Sequence, residues 1–95
     1  MKTAYKDFNN NVLYTFYLPE ENGAIIDNSK MIIAITTPET EIVKTIKVNN
    51  AAGFSYKLNK KSISAAGGAA GLFSFVQRCI RNDFMIDCIK QIAAV

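Results

Sequence analysis

The chain contains no histidine and only two cysteines among its 95 residues. Without an imidazole, Ser-His and Cys-His nucleophilic mechanisms are excluded, and histidine ligation of a metal with them. Two thiols are too few for a disulfide scaffold. Cys79 and Cys88 fall on the apolar stripes of adjoining helical segments, which rarely bring two Cα atoms within the roughly 7 Å that a disulfide needs. Buried, reduced thiols packed as small hydrophobes are the expectation. A secretory leader is also missing from the opening residues, where Lys2, Lys6 and Asp7 interrupt any apolar run, so a cytoplasmic location is expected.

Charge of one sign does not dominate. Eleven Lys and Arg stand against eight Asp and Glu, a net +3 that favours solubility but falls short of the basicity usual in dedicated nucleic-acid modules. Apolar residues make up 49% of the chain and charged residues 20%, which disfavours a disordered or fibrous class. A chain of this length buries one core without staples, so residues 1–95 are read as a single domain.

Residues 11–18 (NVLYTFYL) are rich in aromatic and β-branched types, with Val12, Tyr14, Phe16 and Leu18 on one face and Leu13, Thr15 and Tyr17 on the other. Both faces are expected to be at least partly covered. Pro19 ends that strand, and Asn22 with Gly23 tolerates the positive φ of a tight hairpin, from which residues 24–26 return. Residues 31–37 (MIIAITT) read as a central strand closed by Pro38. In residues 39–48, Ile42, Ile46 and Val48 alternate with Glu39, Glu41, Val43, Thr45 and Lys47, while Lys44 interrupts the inner face and marks an edge. Asn49, Asn50 and Gly53 suggest a turn into a fourth strand carrying Phe54, Tyr56 and Leu58.

After Lys61 the period changes. Ser62 or Ser64 can cap a helix on which Leu72, Phe75, Val76, Cys79 and Ile80 form the apolar stripe, ending near Asn82. Asp83 can cap a second helix with Met85, Cys88, Ile89, Ile92 and Ala93 on one side. The fold expected is therefore α+β, an antiparallel sheet of about four N-terminal strands with two C-terminal helices packed on one face.

Candidate sites are few. The carboxylate pairs Glu20/Glu21, Glu39/Glu41 and Asp83/Asp87 fit exposed edges and a helix N-terminus better than acid-base work or a hard-cation site. Residues 64–71 (SAAGGAAG), following Lys60 and Lys61, sit where a phosphate cradle would. They lack the Gly-Lys-Ser/Thr ending of a Walker loop and the Gly-x-Gly of a dinucleotide fold, and the Gly-, Ala- and Phe-rich stretch from Ile63 to Val76, about fourteen residues, is too short for the roughly twenty of a membrane span. Close packing is the reading that remains. Residues 53–56 echo a fragment of the RNP1 pattern of RNA-recognition motifs, although Ala52 stands where a basic residue belongs and the element order differs.

With no catalytic site, cofactor or metal implied, the expectation is a non-catalytic protein-binding factor. Small motif-free chains of this kind suggest a phage or mobile-element inhibitor that occludes a host defence or regulatory complex. Lys57, Lys60, Lys61, Arg78 and Arg81 are its expected partner-binding residues. The alternative is a nucleic-acid-binding accessory protein using the same basic strand and helix patch. Surplus apolar surface, including Phe73, Phe84 and Ile86 off the helical stripes, also allows a homodimer.

Overall fold

In a computed structural model, residues 1–48, 54–58, 61–65 and 67–82 are described, those of 54–58 and 61–65 by backbone path and pairing. Four strands build the main antiparallel sheet: β1 (Lys2–Asp7), β2 (Val12–Tyr17), β5 (Lys30–Thr36) and β6 (Glu41–Lys47), in the spatial order β1-β2-β5-β6. Between β2 and β5 stands a small hairpin, β3 (Glu20–Glu21) with β4 (Ala24–Ile25). A separate ribbon pairs β7 (Phe54–Leu58) with β8 (Lys61–Ala65), and one helix follows, α1 (Gly68–Asn82).

The alternation in the sequence becomes the two faces of this sheet, because successive side chains point to opposite sides. One row across the inner face is Thr3, Phe16, Ile33 and Lys44, and the next is Tyr5, Tyr14, Ile35 and Ile42. Tyr5 and Tyr14 lie with ring centroids 6.4 Å apart. Helix α1 lies over this face and contributes Ala69, Leu72, Phe73, Val76 and Cys79 to a core shared with Phe16, Leu18, Met31, Ile33, Ile46 and Val48. These helix positions are spaced i, i+3, i+4, i+7 and i+10, one stripe of an amphipathic helix.

Several expectations are corrected here. The strand Lys2–Asp7, unmarked by strong alternation, takes an edge of the sheet, whereas residues 54–58 form a strand that pairs with β8 rather than extending the sheet. Residues 61–65, read as the approach to a helix capped by Ser62 or Ser64, are a strand, and the helix begins only at Gly68. Phe73, placed off the apolar stripe, is 1% exposed and central to the core. The stripe is rotated toward Ala69 and Phe73, with Phe75 only partly buried. Glu39 belongs to the turn before β6, not to the strand. The second helix, with Cys88, and the turn at Asn49, Asn50 and Gly53 lie outside the described residues. Cys79 is a buried thiol, as its position on the stripe implies.

The β3–β4 loop has the expected chemistry. Asn22 (φ 52°) and Gly23 (φ 82°) both adopt the left-handed region, which a two-residue hairpin loop with the sheet's own twist requires. The edge assignment of β6 also holds, with Lys44 on its inner face and Ile42 and Val43 more than half exposed. Asp7, 5% exposed at the end of β1, accepts hydrogen bonds from the Asn9 amide and the Asn10 side chain, both at 3.2 Å, and so closes the β1–β2 turn.

The outer sheet face and the Asn28 clasp

Because α1 covers the inner face, the outer face is the one left to solvent among the described elements. Its rows are Lys2, Tyr17, Ile32 and Thr45; then Ala4, Thr15, Ala34 and Val43; then Lys6, Leu13, Thr36 and Glu41. Leu13, Tyr17 and Ile32 are half-buried, and Val43 is 57% exposed, which gives the face an apolar centre. Four lysines and one carboxylate surround it. Lys2 and Lys6 lie on β1, Glu41 and Lys47 on β6, and Lys30 begins β5 directly opposite Lys47. The Lys2 ammonium stands 5.9 Å from the centroid of the Tyr17 ring, its cross-strand neighbour.

At the Lys30–Lys47 end the face opens into a shallow pocket of about 530 Å³, lined among the described residues by Asp27, Ser29, Lys30, Lys47 and Val48. Its wall is the loop of residues 26–29, whose geometry is set by two side chains. The Asp27 carboxylate accepts from the Ser29 amide at 2.9 Å and from the Ser29 hydroxyl, with Lys30 Nζ at 3.8 Å. The two Ser29 hydrogen bonds hold its pKa below the ordinary carboxylate value against an opposing desolvation, and the Lys30 charge adds a lesser lowering. A depressed folded-state pKa means a contribution present above the unfolded value and lost as pH falls through the folded one. The native protein is therefore expected to lose melting temperature more steeply than Asp27→Asn as pH falls below the ordinary carboxylate value, as thermal melts on the acid side would read. Parallel profiles would remove Asp27 from the acid limb.

Asn28 does the second job. Its Oδ1 accepts from the Ala70 amide at 2.7 Å, its Nδ2 donates to the Gly67 carbonyl at 2.9 Å, and its own carbonyl accepts from the Ala69 amide at 2.9 Å. The loop thus clasps the start of α1 and satisfies two of its orphan donors, as an N-cap does, from 41 and 42 residues away. Gly67 (φ 94°) and Gly68 (φ 68°) supply the left-handed turn that delivers the chain to this clasp, positions at which a side chain would be strained. The glycine-rich stretch is a structural elbow, and its Ala69, Ala70 and Gly71 amides are already bonded.

The expected basic cluster is only partly in view. Arg78 and Arg81 are exposed on α1, with the Arg78 guanidinium 5.9 Å from the Phe75 ring centroid. Lys57 and Lys61 occupy successive cross-strand pairs, with Ser62 and Leu58 respectively, and Lys60 lies outside the described residues. The helix touches β8, so the strand that carries Lys61 is beside the helix that carries the arginines. Sequence reasoning missed the lysines of the other face, Lys2, Lys6, Lys30 and Lys47, whose grouping depends on a register no single strand reveals.

No group of three or more metal-type ligands occurs among the described residues, and among them no helix is long and apolar enough to cross a membrane. No protein-family model, curated protein or solved structure matches the chain.

Proposed function

We propose that this chain is a non-catalytic protein-binding factor that docks its partner on the outer sheet face. The observation that carries the reading is the composition of that face: an apolar centre of half-buried Leu13, Tyr17 and Ile32 with the exposed Val43, inside a frame of lysines. An apolar middle with a polar rim is the anatomy of a protein interface. Its charge favours an acidic partner, and an inhibitor that occludes a host complex is a simple form for such a factor.

The nucleic-acid alternative fits the face less well. Single-stranded binders stack successive bases on aromatic rings, and among the described residues this face carries one ring, Tyr17, already approached by Lys2. The arginines of α1 stand on the opposite side of the sheet from this face and would form a separate contact together with Lys57, Lys60 and Lys61.

Photo-crosslinking in the native cell tests the assignment. A benzophenone side chain at Thr15 or Ile32 is expected to trap a discrete protein species, absent when Leu13 is changed to Asp. The same group at Ser74 or Gln77 on the helix should trap none. Crosslinks confined to the helix positions would transfer the interface to α1 and its basic residues.

A further inference from the structure

The pairing of Lys30 with Lys47 is unfavourable in the chain by itself. Directly opposed residues in an antiparallel pair place their Cβ atoms about 4.5–5.5 Å apart, and like charges there repel. Asp27 offsets only part of this. Its carboxylate lies 3.8 Å from Lys30 at an exposed site and is already bonded by Ser29, while Lys47 has no ion pair among the described residues. Lys30 and Lys47 border the 530 Å³ recess together with Asp27, Ser29 and the buried Val48. Two cations beside one committed carboxylate leave a net positive recess at one end of the docking face.

We infer that Lys30 and Lys47 anchor an acidic segment of the protein partner, whose carboxylates enter this recess and relieve the repulsion between the two lysines. The inference rests on the docking role of the outer face and adds the chemistry of the occupant. A carboxylate-rich segment fits because its charge neutralises both ammonium groups while its aliphatic stems run toward the half-buried Ile32 on the same face. Lys2, on the same face, extends the positive track across the sheet.

A hexaglutamate peptide is the probe, titrated into the isotopically labelled full chain at low salt and followed by amide and lysine side-chain resonances. Saturable shifts confined to Ser29, Lys30, Lys47 and Val48 are expected. They should weaken at least tenfold in Lys30→Gln/Lys47→Gln, whose unperturbed spectrum elsewhere would show that it folds. Hexalysine should produce none. Absence of shifts, or shifts that survive the double substitution, would overturn the anchor. Tighter binding of a six-nucleotide thymidine strand at the same residues would overturn it in favour of a nucleic acid. Crosslinking from Ile32 that persists in Lys30→Gln/Lys47→Gln alongside a failed titration would reject the anchor and leave the docking face standing.

Discussion

Replacing Phe16 by alanine is expected to cost about 3–5 kcal/mol, the range for removing a fully buried aromatic ring whose cavity cannot collapse. Phe16 has no solvent exposure and is flanked in the sheet by Thr3 and Ile33, so backbone pairing on both sides holds the walls of the void apart. Small domains hold only about 5–15 kcal/mol in total, so the variant should be partly unfolded at physiological temperature. Urea titration followed by circular dichroism would measure the loss as a lower midpoint. Ile42→Ala is the control on the same face, since Ile42 is 52% exposed and its truncation should shift the midpoint little. Equal effects at the two positions would contradict the placement of the core under α1.

The second large effect is expected at Asn28, a polar residue in a surface loop where substitution would ordinarily be mild. Asn28→Ala removes the acceptor for the Ala70 amide and the donor to the Gly67 carbonyl together. Loss of an N-cap costs about 0.5–2 kcal/mol, and leaving a part-buried amide without a partner raises the total to about 2–3 kcal/mol. At about 4–8 °C per kcal/mol for a chain of this size, the melting temperature should fall by roughly 10–20 °C. Asn28→Asp separates the two bonds. The carboxylate still accepts from Ala70 and favours the positive helix end, but it cannot donate to Gly67, so an intermediate loss is expected. Faster hydrogen exchange at Ala70 in Asn28→Ala alone would locate the damage at the clasp. An alanine variant as stable as the native chain would show that the helix is held by its apolar face only.

How far the fold could be read in the residues depended on whether the information was local. Residues 31–37 announce their strand by a short β-branched run and residues 39–48 by alternation, and Lys44 marks an edge by breaking that alternation. Asn22 and Gly23 announce their hairpin because few other residues adopt positive φ. Lys2–Asp7 does not, since its inner face is Thr3, Tyr5 and Asp7, with one large apolar residue among the three. In β8, Ser62 and Ser64 have the chemistry of helix caps, and only tertiary pairing with β7 decides against that use. Phe73 escapes the sequence pattern for a related reason. The stripe could be rotated by one position until Ala69, held in the core by the clasp, fixed its phase. The lysines of the outer face could not be grouped at all before the register of β1 and β5 was known, because their nearness is a property of the sheet.

The clasp bears also on how the chain finds its structure. Helix α1 opens on two left-handed glycines and takes its first hydrogen-bond acceptors from a loop some forty residues earlier, so nothing in its own sequence lowers the cost of the first turn. Nucleation of the helix is therefore expected to follow the β2–β5 pairing that positions Asn28. With the sheet as its template, α1 should form late and be lost early, which pulsed hydrogen exchange at Ala69 and Ala70 would read.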